Sequence, residues 1–483
     1  MKAMKRHLYL LLALLALVSC GKEVDPPDPP ASPMLVSLSP ENGATDLTGT
    51  SLSVVFTYDQ NIKVLTADHG RVTVSGGASI SKVNAYATDV TVDVTGLEQG
   101  KTYTVSIPAG IVTGYKDNQS PAAAASVTFS MKEIKTYGLD PQKTLTNSKA
   151  TTRAKALYQF LLDNYGKKTL SGSMACKSGW DNLFADHISS ITGKYPAILG
   201  YDYLFMEWPP KYWSECPDYG DITEVKKAWD DGSIIQICWH WNVPKSEEVY
   251  RNHDPGQYAF YTSQNSAFRP ADALKEGTWQ HECMDAQIAK LAGYLKLLAD
   301  ADIPVLFRPL HEAAGDYTWG PWFWWGLDGA EPCRQLWKYM YDKLTVTYGL
   351  NNLVWVWTVQ TSDAGKLADV EKIEAWYPGD DCVDLVGCDL YVDKNTTQSA
   401  TFKRVNDSVK GNKMVALCEI GNLFDFNACY DEGAPWLYFL TWNNFVNGTP
   451  ALYADSWNNT VDDWKNALSN TYVLNRGSVT NWK

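Results

Sequence analysis

The chain has 483 residues, with 42 Lys and Arg against 55 Asp and Glu and a net charge of −13. That length exceeds one ordinary core, so one large and one small domain are expected. An acidic chain with no basic run after its first few residues argues against nucleic acid and against electrostatic docking on anionic lipid, and favours a neutral partner.

At the N-terminus, Lys2, Lys5 and Arg6 precede an apolar run from Leu8 to Val18, too short to cross a bilayer. Leu17-Val18-Ser19-Cys20 closes the run and resembles a bacterial lipobox. The resemblance implies a lipoprotein signal peptide over 1–20 and a lipidated Cys20. The chain would then be exported and held at the outer membrane through that lipid alone. A plain secretory signal is the other reading. Residues 21–33 include Asp25-Pro26-Pro27-Asp28-Pro29-Pro30, a stiff extended linker because proline fixes φ and blocks helix.

From 34 to 132 short runs alternate with period two between Gly, Asn and Pro turns: Leu52–Phe56, Arg71–Val74, Val90–Val94, Thr102–Ile107 and Ser126–Phe129. This is the pattern of a small antiparallel β-sandwich. Ser39-Pro40-Glu41-Asn42-Gly43-Ala44-Thr45-Asp46 resembles the start of bacterial Ig-like modules. A spacer role is expected, since the region holds no tryptophan with which to stack a sugar.

All 20 tryptophans lie beyond residue 133. Over 133–483 apolar runs alternate with amphipathic helices, the signature of parallel βα units. Strand candidates are Thr169–Gly172, Ala197–Asp202, Ile234–His240, Val305–Glu312, Leu353–Trp357, Leu385–Tyr391, Met414–Glu419 and Leu437–Trp442. Helices are predicted at 285–298 and 336–344, among others. Eight such units in roughly 350 residues fit a closed (β/α)8 barrel. Cys238, Cys388 and Cys418 sit inside these runs and read as small core residues. Ten cysteines without a Cys-x-x-Cys pair are neither a disulfide framework nor a zinc ribbon. A bridge among Cys216, Cys283, Cys333, Cys382 and Cys429 stays open.

In such a barrel the carboxyl ends of the strands form the reactive face. The fourth predicted strand ends at Glu312, the seventh at Glu419, the sixth at Asp389 and Tyr391, the third at His240 and the eighth at Trp442. Glycoside cleavage requires two carboxyl groups flanking the scissile bond, one protonated and one ionised, and Glu312 and Glu419 meet that need by placement. Indoles at Trp319, Trp322, Trp324 and Trp325 offer flat surface for a sugar ring. Arg308 is expected to brace the carboxylates, and at least one of Trp355 and Trp357 to fill core.

Phe307-Arg308-Pro309-Leu310-His311-Glu312, the loop Trp322-Phe323-Trp324-Trp325-Gly326, and Cys418-Glu419-Ile420-Gly421 resemble glycoside hydrolase family 26, over roughly residues 140–475. The resemblance implies a retaining endo-β-1,4-mannanase acting on mannan, galactomannan or glucomannan by double displacement. It further implies Glu419 as nucleophile and Glu312 as acid/base. His240, His311, Trp322, Tyr391 and Trp442 would contact substrate, Tyr391 also holding the nucleophile. The loop 315–321 is longer than the family pattern, which leaves Trp319 as a second candidate for the stacking indole.

Alternatives within the family are β-1,3-xylanase and mixed-linkage β-glucanase. The rival from another class is a non-catalytic glycan-binding surface lipoprotein, which would keep the indoles without needing both glutamates. His311-Glu312-Ala313-Ala314 is not a zinc-peptidase helix, because Gly315 stands where the second histidine would be. The sequence has no Gly-x-Ser-x-Gly elbow, phosphate loop or dinucleotide fingerprint. No metal or cofactor is therefore expected, and the protein is expected to be a monomer.

Overall fold

The computed structural model describes residues 31–483, apart from 117–119, 134–137, 177–179, 214–215, 395, 443–444, 447–448, 451–458 and 480–481. The signal peptide, Cys20 and all but the last three linker residues lie outside the described residues. Contacts divide the chain into two compact units, Met1–Ile134 and Lys135–Lys483.

The first unit is a β-sandwich. Leu35–Ser39, Ser51–Tyr58, Asp89–Thr95 and Ser79–Tyr86 form one four-stranded sheet; Ala44–Leu47, Ala125–Met131, Thr102–Ile107 and Thr73–Val74 form the other. Period-two alternation turns Val54, Phe56, Val90, Val92 and Val94 inward from one sheet to meet Tyr103, Val105, Val127 and Phe129 from the other. Two details depart from expectation. Ala44–Leu47 pairs parallel with Ala125–Met131. The predicted strand at Arg71–Val74 shrinks to Thr73–Val74, because Arg71 closes a 3-10 turn begun at Thr66.

The second unit is a closed barrel of parallel strands, labelled here β1 (Gly172–Met174), β2 (Ile198–Asp202), β3 (Ile234–Trp239), β4 (Val305–Pro309), β5 (Leu353–Val359), β6 (Leu385–Leu390), β7 (Met414–Ile420) and β8 (Phe439–Thr441). Each pairs with its successor, and β8 returns to β1 through Ser173 and Thr441. Every residue of these strands is buried, as the near-continuous apolar runs require when helices cover the outside and side chains fill the inside. Trp355 and Trp357 are both buried.

β1 starts later in the chain than predicted. Thr169–Leu170 pairs with Val473–Leu474 instead, and the barrel strand begins at Gly172. A Cβ there would lie 2.4 Å from the Phe439 carbonyl oxygen, so glycine alone lets β1 close against β8.

The predicted helix at 285–298 extends over Trp279–Asp300, with Thr278 accepting the His281 amide as its cap. Met284, Ile288, Leu291, Leu295 and Leu298 repeat at helical spacing on its buried face. Gln287 on that face is fully used: its Oε1 accepts from Trp241 Nε1 at 2.6 Å and its Nε2 donates to the Asn242 carbonyl at 2.9 Å. The helix predicted at 336–344 spans Ala330–Asp342 and passes into a π turn at Lys343–Thr347. Cys283, Cys333, Cys382 and Cys429 are buried thiols with no disulfide. Among the described residues no helix is long and apolar enough to cross a membrane.

Candidate active site

The strand carrying Arg308 ends three residues earlier than its sequence suggests, and that difference creates the site. β4 stops at Pro309, after which Leu310 and Glu312 take positive φ of 50° and 51°. Left-handed backbone at non-glycine residues costs on the order of 1–3 kcal/mol each and persists only where the surroundings hold it. Here Trp325 Nε1 donates to the His311 carbonyl at 2.8 Å, and Gly315 N donates to the Glu312 carbonyl at 3.0 Å. The turn thus presents Glu312 over the end of the barrel instead of continuing along its wall.

β7 delivers Glu419 and β6 delivers Asp389, both within the strands themselves. One oxygen of each of Glu312, Asp389 and Glu419 lies within 4.8 Å of the others. Arg308, 1% exposed, reaches across from β4. Its Nη2 donates to Asp389 Oδ2 at 2.8 Å and to Glu419 Oε2 at 2.5 Å. Tyr391 donates its hydroxyl to the other oxygen of Glu419.

Among the described residues Glu312 receives one side-chain donor, Trp322 Nε1 at 2.8 Å from its Oε2. Burial, followed by the nearby Glu419 charge, lifts its carboxyl to about 7, against the pull of Arg308 and of the Trp322 bond. Burial raises Asp389 well above the usual carboxylate range.

These groups open into a cavity of about 670 Å³, lined also by His240, His311, Tyr261, Phe323, Gln360 and Trp442. His240, His311, Glu312, Trp322, Asp389, Tyr391, Glu419 and Trp442 all line it, whereas Trp324 and Trp325, expected to offer surface to a sugar ring, are fully buried behind it and serve as core. Trp319 does not line it: it is 78% exposed, while Trp322 lines the cavity and touches Glu312. Asp316 explains the difference. Its Oδ1 accepts the amides of Thr318 and Trp319 and its Oδ2 that of Ala364, which folds the long loop outward and returns the chain at Trp322.

Sequence reasoning missed Asp202, Tyr261 and Gln360. Asp202 carried the same signal as the others, a polar side chain ending an apolar run. Gln360, the first residue after β5, carried it too, and Tyr261 stands in a loop without a marker. Cys238, His240 and His311 also gather one ligand-type atom each within 4.8 Å, but Arg308 Nη1 donates to Cys238 Sγ at 3.3 Å, and a guanidinium so placed repels a cation.

Residues 146–478 match the sequence profile of Glycosyl hydrolase family 26, and residues 30–131 that of a Bacterial Ig-like domain. The chain belongs to glycosyl hydrolase family 26. It is 33% identical over 342 residues to mannan endo-1,4-beta-mannosidase B of Piromyces sp, a match covering 69% of this chain and 52% of that protein. It is 32% identical over 344 residues to a mannan endo-1,4-beta-mannosidase of Thermothelomyces thermophilus, covering 71% and 64%. The match thus spans about half to two thirds of the length of these relatives. Among solved structures, the family 26 domain of an endo-beta-mannanase/endo-beta-glucanase from Prevotella bryantii superposes with a TM-score of 0.61 at 33% identity, covering 70% of this chain and 99% of that one. A ruminal family 26 endo-beta-1,4-mannanase gives 0.61 at 27% identity, covering 90% and 91%.

Proposed function

We propose that this protein is a retaining endo-β-1,4-mannanase in which Glu419 is the nucleophile and Glu312 the acid/base. The observation that carries the reading is the pair of carboxyl groups with oxygens no more than 4.8 Å apart in a cavity walled by Trp322 and Trp442. Retaining glycosidases hold their carboxyls about 5–5.5 Å apart, whereas inverting ones leave about 6.5–9.5 Å for a water. The mannan preference rests on the activities named for the relatives.

In the first step a Glu419 oxygen attacks the anomeric carbon while Glu312 passes its proton to the departing glycosidic oxygen, leaving a glycosyl ester on Glu419. Esterification removes the charge that helps to keep Glu312 protonated. Glu312 then takes a proton from water, whose oxygen displaces Glu419 and keeps the configuration. Arg308 and Tyr391 hold Glu419 in line, and His240, His311, Trp322 and Trp442 bind the sugar. Residues 34–132 act as a spacer and 133–483 as the catalytic domain. The protein works as a monomer, held at the outer membrane by lipid on Cys20, which lipid labelling of the wild type and Cys20→Ala tests.

The assay is reducing-sugar release from mannan, galactomannan, glucomannan, β-1,3-xylan and mixed-linkage β-glucan, with product sizing. Internal cleavage of the mannans is expected, with loss of turnover by orders of magnitude in Glu312→Ala and Glu419→Ala. Near-normal turnover in either variant, or preference for xylan or mixed-linkage glucan, overturns the reading. Glycan binding without turnover in the wild type leaves the binding lipoprotein.

A further inference from the structure

Behind the carboxylates lies a second chain of buried polar groups, from which the proposed reaction uses only the two imidazole rings. Asp202, at the end of β2, accepts the backbone N–H of His240 on Oδ1 at 3.0 Å, and its Oδ2 meets Nδ1 of the same residue. The carboxylate therefore fixes both the backbone and the ring. The far nitrogen of that ring, Nε2, lies 3.2 Å from His311 Nε2. His311 Nδ1 in turn lies 3.5 Å from Cys238 Sγ, which already accepts from Arg308.

A contact between two Nε2 atoms needs one proton, and with Asp202 ionised only two arrangements supply it. With two protons on His240, its Nε2–H donates to His311, whose own proton then sits on Nδ1 and points at Cys238. With one proton on His240, spent on Asp202, the bond must reverse and His311 carries its proton on Nε2. The choice sets both the charge of one ring and the tautomer of the other.

We propose that Asp202 is a positioning residue that keeps His240 an imidazolium and thereby holds His311 neutral in its Nδ1–H form. A carboxylate only 4% exposed needs a cation beside it, and Asp202 has His240. The titratable groups facing His240 are Asp202 from β2, Cys238 two residues before it on β3, and His311 and Glu312 from the turn after β4. The other rings packed on it, Phe260, Phe323 and Trp442, are apolar or weakly polar. Burial opposes charge on His240, but the Asp202 charge and hydrogen bond outweigh it and lift the imidazole well above its ordinary value. Burial, then Arg308, then His240 push His311 well below. In the proposed reaction the cation also draws Glu312 down slightly, which limits how far burial raises the acid.

This inference rests on the proposed reaction only for its consequence in turnover. The ring protonation is measured on free enzyme by ¹⁵N–¹H correlation spectra of the histidines, with His240 assigned by its loss in His240→Gln. Wild-type His240 is expected to stay an imidazolium, and His311 an Nδ1–H tautomer, through the range around pH 7 in which Glu312 titrates. In Asp202→Asn, His240 becomes neutral in that range and the basic limb of kcat/KM moves up. Turnover drops by about 10- to 100-fold, the scale seen when a metal-bound histidine loses the partner that orients it, with the loss in kcat, and Asp202→Glu restores part of it. A neutral His240 in the wild type, or an Asp202→Asn variant whose His240 titrates as before, overturns the proposal. If Asp202→Asn does not fold, the wild-type spectrum decides. If the wild type cleaves no mannan, the functional reading fails while the spectra still test this one.

Discussion

Replacing Glu312 by glutamine should stabilise the protein above neutral pH while removing its chemistry, because the group is held where its charge is unwelcome. Raising a carboxyl from 4.5 to about 7 corresponds to about 3 kcal/mol at 1.36 kcal/mol per pH unit. Below pH 4.5 the group is protonated in both folded and unfolded chains and contributes no difference. As pH rises, the unfolded chain gives up its proton first, so folding loses ground until Glu312 itself ionises near pH 7; beyond that the penalty is constant. Glutamine keeps the shape, still accepts from Trp322, and escapes the penalty. Guanidinium unfolding followed by tryptophan fluorescence isolates the catalytic domain, since every one of the 20 tryptophans lies in it. The variant should match the wild type near pH 4.5 and exceed it by about 3 kcal/mol at pH 8. Carboxylates remote from Glu312 titrate alike in both proteins and cancel in the difference. A gap that does not change with pH, or a wild type that is the more stable at pH 8, would refute the account of how Glu312 is held.

Trp322→Phe keeps a ring in the cavity but removes the one indole donor to Glu312. A hydrogen bond to a charged group contributes about 1.5–3 kcal/mol, so the basic limb of kcat/KM should move up by about one pH unit or more; a downward move would count against the indole as a stabiliser of the ionised form. Gly326→Ala tests the loop from below. Its Cβ would meet the Ala313 carbonyl oxygen at 1.9 Å and Pro321 Cβ at 2.7 Å, so the turn that presents Glu312 must shift. A loss of about 1–3 kcal/mol of stability together with reduced kcat is expected, and an alanine variant with wild-type melting and turnover would mean that the loop yields freely.

The barrel was legible because parallel strands buried on both faces leave unbroken apolar runs, and β3, Ile-Ile-Gln-Ile-Cys-Trp, is readable on that basis alone. What composition does not carry is where a strand stops when its last residues remain apolar or polar in the expected order. Leu310, His311 and Glu312 read as a continuation of β4, yet two of the three are left-handed, held by the Gly315 amide and by the Trp325 indole, which lies 14 residues beyond the carbonyl it meets. β1 was displaced for a related reason: Leu170 is as apolar as a barrel residue, but it pairs with Leu474 and with Tyr438 just before β8, and the close approach to β8 itself falls at Gly172. The choice of Trp322 over Trp319 was open in sequence because Asp316, which decides it, does so through amides that every residue has. Asp202 was passed over although its signal was present, since a strand-end acid draws attention only once its histidine is known to face it.

The polarity of the two glutamates follows from where the donors fall. Three carboxyl groups share the end of the barrel with one guanidinium, and Arg308 is committed to Asp389 and Glu419. Tyr391 adds a second donor to Glu419, while Glu312, lifted out of the wall by its left-handed turn, keeps one indole. Had β4 run on regularly through residue 312, successive side chains would have alternated between the interior and the helix layer, and Glu312 would not have been free to stand apart from the guanidinium. The strained turn therefore separates two like residues into different electrostatic surroundings, and burial with the nearby Glu419 charge raises Glu312 to about 7, as the acid/base role proposed for it requires.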